Sequence, residues 1–259
     1  VQKAGGVTTP EDFARYDVRV QEPARGSYRG YDILGSPAPD HGGLHVIEIM
    51  HMLELLDVEK LGPVTDSPEL FWQMQRICAR VFADGGRHRD PRYHDVPEEL
   101  IASKEYARTR FELLQMDAPL AETPQPPPGS CHVTAVDADG NVATILHSCM
   151  SLPYSNGLFV GGHSIVASGA HYFRVMPGPG ERATTYVAPN MMMKNGKPII
   201  ASGSPSGSLL QNIVQNYTNM FDHGMGIEES TNRPRFGNAY SPGGEMFPAV
   251  EADFPTKTL

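Results

Sequence analysis

Between Leu44 and Leu56 the apolar residues Val46, Ile49, Met50, Leu53 and Leu56 recur at spacings of three and four, the period of one helix face. Gly42-Gly43 lies at its start, where the absence of side chains lets the backbone turn closely into a helix. A second helix is predicted from Ser67 as N-cap, Pro68 at the first helical position and Glu69 in the first turn. Leu70, Met74, Ile77 and Val81 are its buried stripe. A third begins at Ser103 and places Tyr106, Ala107, Phe111 and Leu114 on one face, completing an amphipathic helical block. The period then changes. Thr123-Pro124-Gln125-Pro126-Pro127-Pro128-Gly129 excludes helix and sheet and predicts an extended, exposed linker. Ser130 to Asp137 is rich in β-branched residues, Ala138-Asp139-Gly140 is a tight turn, and Asn141 to Ser148 is a second strand, so a hairpin follows. Beyond a Gly-rich stretch, Met191-Met192-Met193 reads as core strand and Lys197 to Ser202 as another. After the loop Gly203–Ser208, the residues Leu209, Leu210, Ile213, Val214, Tyr217 and Phe221 form an amphipathic helix that stops at Gly224. Residues ahead of Ser36 read as turns and short extended pieces. Helices precede strands without strict alternation, which predicts an α+β layered core.

Composition narrows the classes. The 259 residues carry 21 Lys plus Arg against 30 Asp plus Glu, a net charge of −9, so the chain lacks the basic footprint of a nucleic-acid binder. No apolar run approaches the ~18 residues of a membrane span. Cys78, Cys131 and Cys149 cannot all pair with one another, which argues against a disulfide scaffold. A soluble, acidic enzyme is the expected class.

The most informative junction is Gly129/Ser130, where a proline-rich linker ends at a small residue and a hydroxyl opens a strand. That is the arrangement of an N-terminal nucleophile hydrolase, which cuts itself ahead of a Ser, Thr or Cys. The freed α-amine, with a pKa of ~7.7–8.0, can then accept the hydroxyl proton near neutrality. On composition alone the junction also reads as an ordinary linker-to-strand boundary. The strand–loop–helix unit at Gly203–Ser208 offers backbone N–H groups at a helix start, suited to an oxyanion. It lacks the Gly-Lys-Ser/Thr ending of a phosphate cradle. Glu48 and His51 are half of a carboxylate-bridged metal motif with no second copy, and read as a solvated helix face. His88, Asp90, His94 and Asp95 share one loop without compact metal spacing.

Taken in order, these segments resemble the γ-glutamyltranspeptidase family from Gly5-Gly6 to about Phe254. Pro37-Ala38-Pro39-Asp40-His41-Gly42-Gly43 is similar to its proline-rich Ser-Ser-Gly-Gly turn. Ala83-Asp84, Asp90-Pro91-Arg92-Tyr93, Val96-Pro97 and Ser103-Lys104-Glu105-Tyr106-Ala107 follow its helical signature. Ser130-Cys131-His132 lies where the family has Thr-Thr-His, and Gly203-Ser204-Pro205-Ser206-Gly207-Ser208 resembles its Gly-Ser-Pro-Gly-Gly-Ser loop. Asp222-His223-Gly224-Met225 and Arg233-Pro234-Arg235-Phe236 close the series.

The resemblance implies an αββα sandwich cleaved between Gly129 and Ser130. Ser130 becomes the nucleophile, with Cys131 the alternative if the cut falls one residue later. Backbone N–H groups of Ser206 and Gly207 form the oxyanion hole, and the Ser148 hydroxyl assists the nucleophile. Thr185 and Tyr186 stand where the family holds its substrate's carboxylate. Tyr172 replaces the aspartate that meets the substrate's ammonium, and Met150 replaces an asparagine. An unpaired buried ammonium would be costly in such a pocket, so an acyl group other than unmodified γ-glutamyl is expected. The expected activity is amide hydrolysis or acyl transfer on a small amide or peptide-like substrate, without metal or organic cofactor. Relatives of this kind include cephalosporin-type acylases and C–C bond hydrolases of natural-product pathways, and a non-catalytic binding or assembly module is the rival. Residues 1–129 then correspond to the end of a large-subunit region and residues 130–259 to a small-subunit region. The sequence would be an excerpt of a longer precursor whose remaining large-subunit segment is a partner, leaving the compartment open.

Overall fold

The computed structural model of the chain describes residues 2–5, 7–83, 88–117, 130–148, 159–160, 163–164, 176–185, 187–205, 207–240 and 246–259. In chain order the elements up to residue 117 are α1 (Pro10–Arg15), β1 (Ala24–Tyr28), β2 (Tyr31–Gly35), α2 (Gly42–Leu53), α3 (Val58–Leu61), α4 (Pro68–Ala83), α5 (Glu98–Ile101) and α6 (Lys104–Gln115). From residue 130 onward come β3 (Ser130–Val136), β4 (Val142–Ser148), β5 (Phe159–Val160), β6 (His163–Ser164), β7 (Asn190–Lys194) and β8 (Lys197–Ser202). They are followed by α7 (Leu209–Phe221), α8 (Ile227–Asn232), β9 (Phe236–Tyr240) and β10 (Met246–Val250). The architecture is α+β. Of the turn-and-strand pieces expected ahead of Ser36, residues 24–35 form the β1–β2 hairpin, whereas Pro10–Arg15 is a short helix, because Thr9 and Asp12 make a capping box at its start.

The main sheet is antiparallel with strand order β1-β2-β7-β8, taking two strands from each side of Gly129. Tyr28, Ile33 and Met192 are fully buried on the face that receives α2. Beside α2 on the same side runs α7, which buries Leu210, Ile213, Val214 and Tyr217. The helices α4 and α6 close over α2 with Leu70, Met74, Ile77, Ala107 and Leu114. Each large aliphatic side chain placed there contributes about 1.5–3 kcal/mol relative to exposure. The helix starts follow the sequence signals, since Ser67 Oγ accepts from the Leu70 N–H at 3.1 Å and Ser103 Oγ from the Tyr106 N–H at 3.1 Å.

One expectation is corrected. Glu48 and His51 do not face solvent: they are 1% and 4% exposed, because α2 has the sheet on one side and helices on the others. Glu48 meets the Arg110 guanidinium, with Oε1 3.4 Å from Nε. His51 Nε2 accepts the Ser27 N–H at 3.1 Å, tying α2 to β1, and burial holds its imidazole down at a pKa of about 4. The helix reaches the sheet closely because two glycines meet where it starts. A Cβ on Gly43 would lie 2.1 Å from the Ser36 nitrogen and 2.5 Å from the Gly35 carbonyl carbon.

The hairpin β3–β4 pairs Ser130 with Ser148 and continues in register to Val136 and Val142. Its turn is held by the Asp137 carboxylate, which accepts from the Asp139 and Asn141 N–H groups at 3.0 and 2.8 Å. Strand β4 runs beside β8, and the hairpin face carrying His132 and Leu146 is half-buried there. The opposite face exposes Val133 and Ile145, paired across the strands.

Candidate active site

Gly35, Asn190 and Ser202 are aligned across the main sheet as register partners at one end. Three loops therefore leave from the same edge: 36–41 after β2, 185–189 before β7, and 203–208 after β8. Two of them lead directly into α2 and α7, so both helices point their N-termini at this edge. Ser36 couples the loops. Its hydroxyl accepts from the Gly43 N–H at 3.1 Å and donates to the Val187 carbonyl at 3.4 Å.

The hairpin meets the same edge. The His132 ring lies against Gly203, where a Cβ would come within 2.5 Å of the ring, so a side chain there would push the hairpin away. His132 Nε2 shares a 2.6 Å hydrogen bond with Thr144 Oγ1, and burial lowers its pKa. Ser130 is two residues from His132 and opens β3, with Ser148 as its partner across the hairpin.

The 203–208 loop is pinned from behind by β9. Asn238 Nδ2 donates to the Gly207 carbonyl at 2.9 Å, and the Asn238 N–H donates to Ser208 Oγ at 2.7 Å. Ser204 Oγ accepts from Asn212 Nδ2 at 3.0 Å. Gly207 is buried immediately ahead of α7. These contacts anchor Ser204, Gly207 and Ser208, and an oxyanion site requires such anchored N–H groups. Asn238 went unnoticed in the sequence because its role depends on a hairpin that lies beyond α8.

Thr185 bridges the first two loops. The His41 N–H donates to its carbonyl at 2.9 Å, and its own N–H donates to the Pro39 carbonyl at 3.2 Å. Its Oγ1 hydroxyl donates to Asp40 Oδ1 at 3.0 Å. Asp40 Oδ1 also accepts from the Gly42 N–H at 3.4 Å. Burial pushes the Asp40 carboxyl up to a pKa of about 7, against the lowering effect of the surrounding hydroxyl and N–H donors. Asp40 entered the sequence reading only as part of a turn. Its chemistry becomes visible when Thr185, distant in sequence, is brought alongside.

Gly129, Met150, Tyr172, Tyr186 and Ser206 lie outside the described residues. In the 88–95 loop, Asp90 is fully buried and accepts from Arg19 Nη1 and Nη2, each at 2.9 Å, from Arg92 and from the Arg182 N–H. His88 instead packs against the rings of His41 and His45, with centroids 5.5 and 5.1 Å away. No described helix is long and apolar enough to cross a membrane.

The signature of the family described as gamma-glutamyltranspeptidase matches residues 1–259. The glutathione hydrolase proenzyme of Escherichia coli K12 is 28% identical over 287 residues, covering 100% of this chain and 48% of that protein. The acylase ACY 1 proenzyme of Pseudomonas sp. SE83 is 33% identical over 250 residues, covering 89% of this chain and 43% of its own length. The crystal structure of the cephalosporin acylase from Bacillus halodurans superposes with a TM-score of 0.74 at 24% identity, over 99% of this chain and 47% of that one, and so shares the fold. The chain thus spans about half the length of the curated relatives it matches. It belongs to the γ-glutamyltranspeptidase family.

Proposed function

We propose that the whole protein is a self-cleaving N-terminal nucleophile amide hydrolase or acyltransferase, with an acyl specificity shifted away from γ-glutamyl. The observation that carries this reading is the placement of Ser130. It opens a strand two residues before His132, whose ring rests on Gly203, at the sheet edge where α7 begins. Relatives named as proenzymes, one a glutathione hydrolase and one an acylase, support self-cleavage and amide chemistry.

In the maturation step the Ser130 hydroxyl attacks the Gly129 carbonyl. The Gly129–Ser130 C–N bond breaks as the departing nitrogen takes a proton, and water hydrolyses the resulting ester. The break of the C–N bond frees the Ser130 α-amine, and the hydrolysis frees its hydroxyl and leaves Gly129 with a carboxylate. In turnover the amine accepts the hydroxyl proton as Oγ attacks the substrate amide, then returns it to the leaving amine. An acyl-enzyme ester remains and passes its acyl group to water or another amine. Ser148 assists the nucleophile, while the N–H groups of Ser206 and Gly207 receive the oxyanion. Met150, Tyr172 and Tyr186 stand at the sequence positions where the family binds its acyl group, and their replacement accounts for the altered specificity.

Intact-mass analysis of the full-length protein is expected to show fragments divided at Gly129/Ser130, and Ser130→Ala should remain a single species. A wild-type protein that stays whole would instead support the second reading, a non-catalytic binding or assembly module, which rests on Ser206, Met150 and Tyr172 each departing from the family pattern. Efficient turnover of γ-glutamyl-p-nitroanilide would refute the altered specificity.

A further inference from the structure

A cleft of about 980 Å³ lies between the arm 12–21 and the loops 36–40 and 179–185. Asp40 and Thr185 line it together, on the loops that leave the edge of the main sheet assigned above to catalysis. Most charges around them are already matched. Arg19 and Arg92 are spent on Asp90, Arg182 on Asp17, and Glu181 on Arg89 and His94. Asp40 is different. Among the described residues it has no ion-pair partner, and its Oδ2 is shielded from solvent without a direct hydrogen bond. The nearby Ser36 hydroxyl and His41 N–H, which lower its pKa, donate instead to the Val187 and Thr185 carbonyls.

The donor count decides what this corner can bind. A threonine hydroxyl has one proton to donate, and that of Thr185 goes to Asp40 Oδ1 at 3.0 Å. What both side chains leave over is lone pairs: those of Thr185 Oγ1 and those of Asp40 Oδ2. A substrate carboxylate placed here would find no donor from either residue and would face a like charge. An ammonium or an amide N–H would satisfy the empty acceptor and relieve the cost of a buried, unpaired carboxylate oxygen.

We infer that Asp40 is a specificity-determining residue that selects an acyl group whose tail ends in an ammonium or N–H donor and rejects one ending in a carboxylate. This rests on the proposed acyl-transfer reading, and it assigns Thr185 to orienting Asp40 in place of holding a substrate carboxylate. The carboxylate absent at Tyr172 would then be supplied from another loop, which changes where along the acyl chain the cation is met.

The test uses the whole protein and three matched amides: 5-aminovaleramide, neutral valeramide and glutaramate, which differ only at the far end. Their dissociation constants are measured by calorimetry at about pH 8.5, above the Asp40 carboxyl, so that it is ionised. Wild type is expected to bind 5-aminovaleramide about 30-fold more tightly than glutaramate, and Asp40→Asn should reduce that ratio to about 3-fold or less. Thr185→Val, which leaves the carboxylate in place, should keep the preference for the ammonium. A wild-type ratio below about 3-fold, absence of binding by the ammonium probe, or a ratio unchanged in Asp40→Asn overturns the inference. Because binding needs no turnover, an uncut protein that still discriminates through Asp40 would sink the proposed catalysis and leave this specificity standing.

Discussion

The α2-facing side of the main sheet and the outer face of the β3–β4 hairpin are built from similar residues and end in opposite states. Tyr28, Ile33 and Met192 are fully buried, whereas Val133 and Ile145 are 57% and 60% exposed. The strands alternate in both. What differs is the partner: α2, itself covered by α4, α6 and α7, lies across the sheet, while no described element covers the outer face of the hairpin. Apolar patterning therefore marks a surface that can be buried, and the neighbouring layer decides whether it is. The contact that holds the hairpin is on its other side, where His132 rests on Gly203.

The strongest way to break this contrast is at the tightest point of the helix–sheet seam. Gly43→Ala puts a methyl 2.1 Å from a main-chain nitrogen that cannot move independently of β2. A loss of about 4 kcal/mol or more, or failure to fold, is expected in denaturant titration of the whole protein. An unaffected midpoint would mean that the seam is looser than its geometry.

A smaller effect follows from His51 on the same seam. Burial is the chief cause of its lowered pKa, with the Lys104 ammonium adding to it and Glu54 opposing. The imidazole therefore takes a proton at about 4 when folded and at 6.5 when unfolded. Above the unfolded value neither state is charged and nothing is lost. As pH falls from about 6.5 to about 4 the unfolded chain gains the proton first, and stability drops by on the order of 2–3 kcal/mol. His51→Gln should flatten that part of the thermal-stability profile. A profile equally steep in the variant would assign the acid sensitivity to other groups.

The smallest expected effect sharpens the contrast from the other side. Ile145→Thr, on the exposed face of the hairpin, should cost about 0.5 kcal/mol or less. A loss of several kcal/mol in the whole protein would show that this face is covered in the full assembly.

Much of the fold was legible along the chain. Ser67 and Ser103 cap the helices they announced, and Lys197–Ser202 is a strand with the expected bounds. Leu209–Phe221 likewise begins and ends where its periodicity does. Local signals sufficed because caps, turns and apolar periods act within a few residues. The burial of Glu48 and His51 was not legible, since a helix covered on all sides looks the same as an amphipathic one wherever its polar residues find internal partners. The site divides similarly. Ser130, Ser148 and the Gly203–Ser208 loop stood out by motif. Asp40, Asn238 and the His132–Gly203 contact did not, because each acts through a residue dozens of positions away.

By itself, then, the sequence determined the four long helices α2, α4, α6 and α7, the β3–β4 hairpin and the family, all of which depend on local chemistry or on the order of motifs. Tertiary structure alone decided which loops share the edge of the main sheet, and that Asp40 meets Thr185 there. The physical reason is register: Gly35, Asn190 and Ser202 become neighbours only when β2, β7 and β8 pair, and no local propensity specifies that alignment.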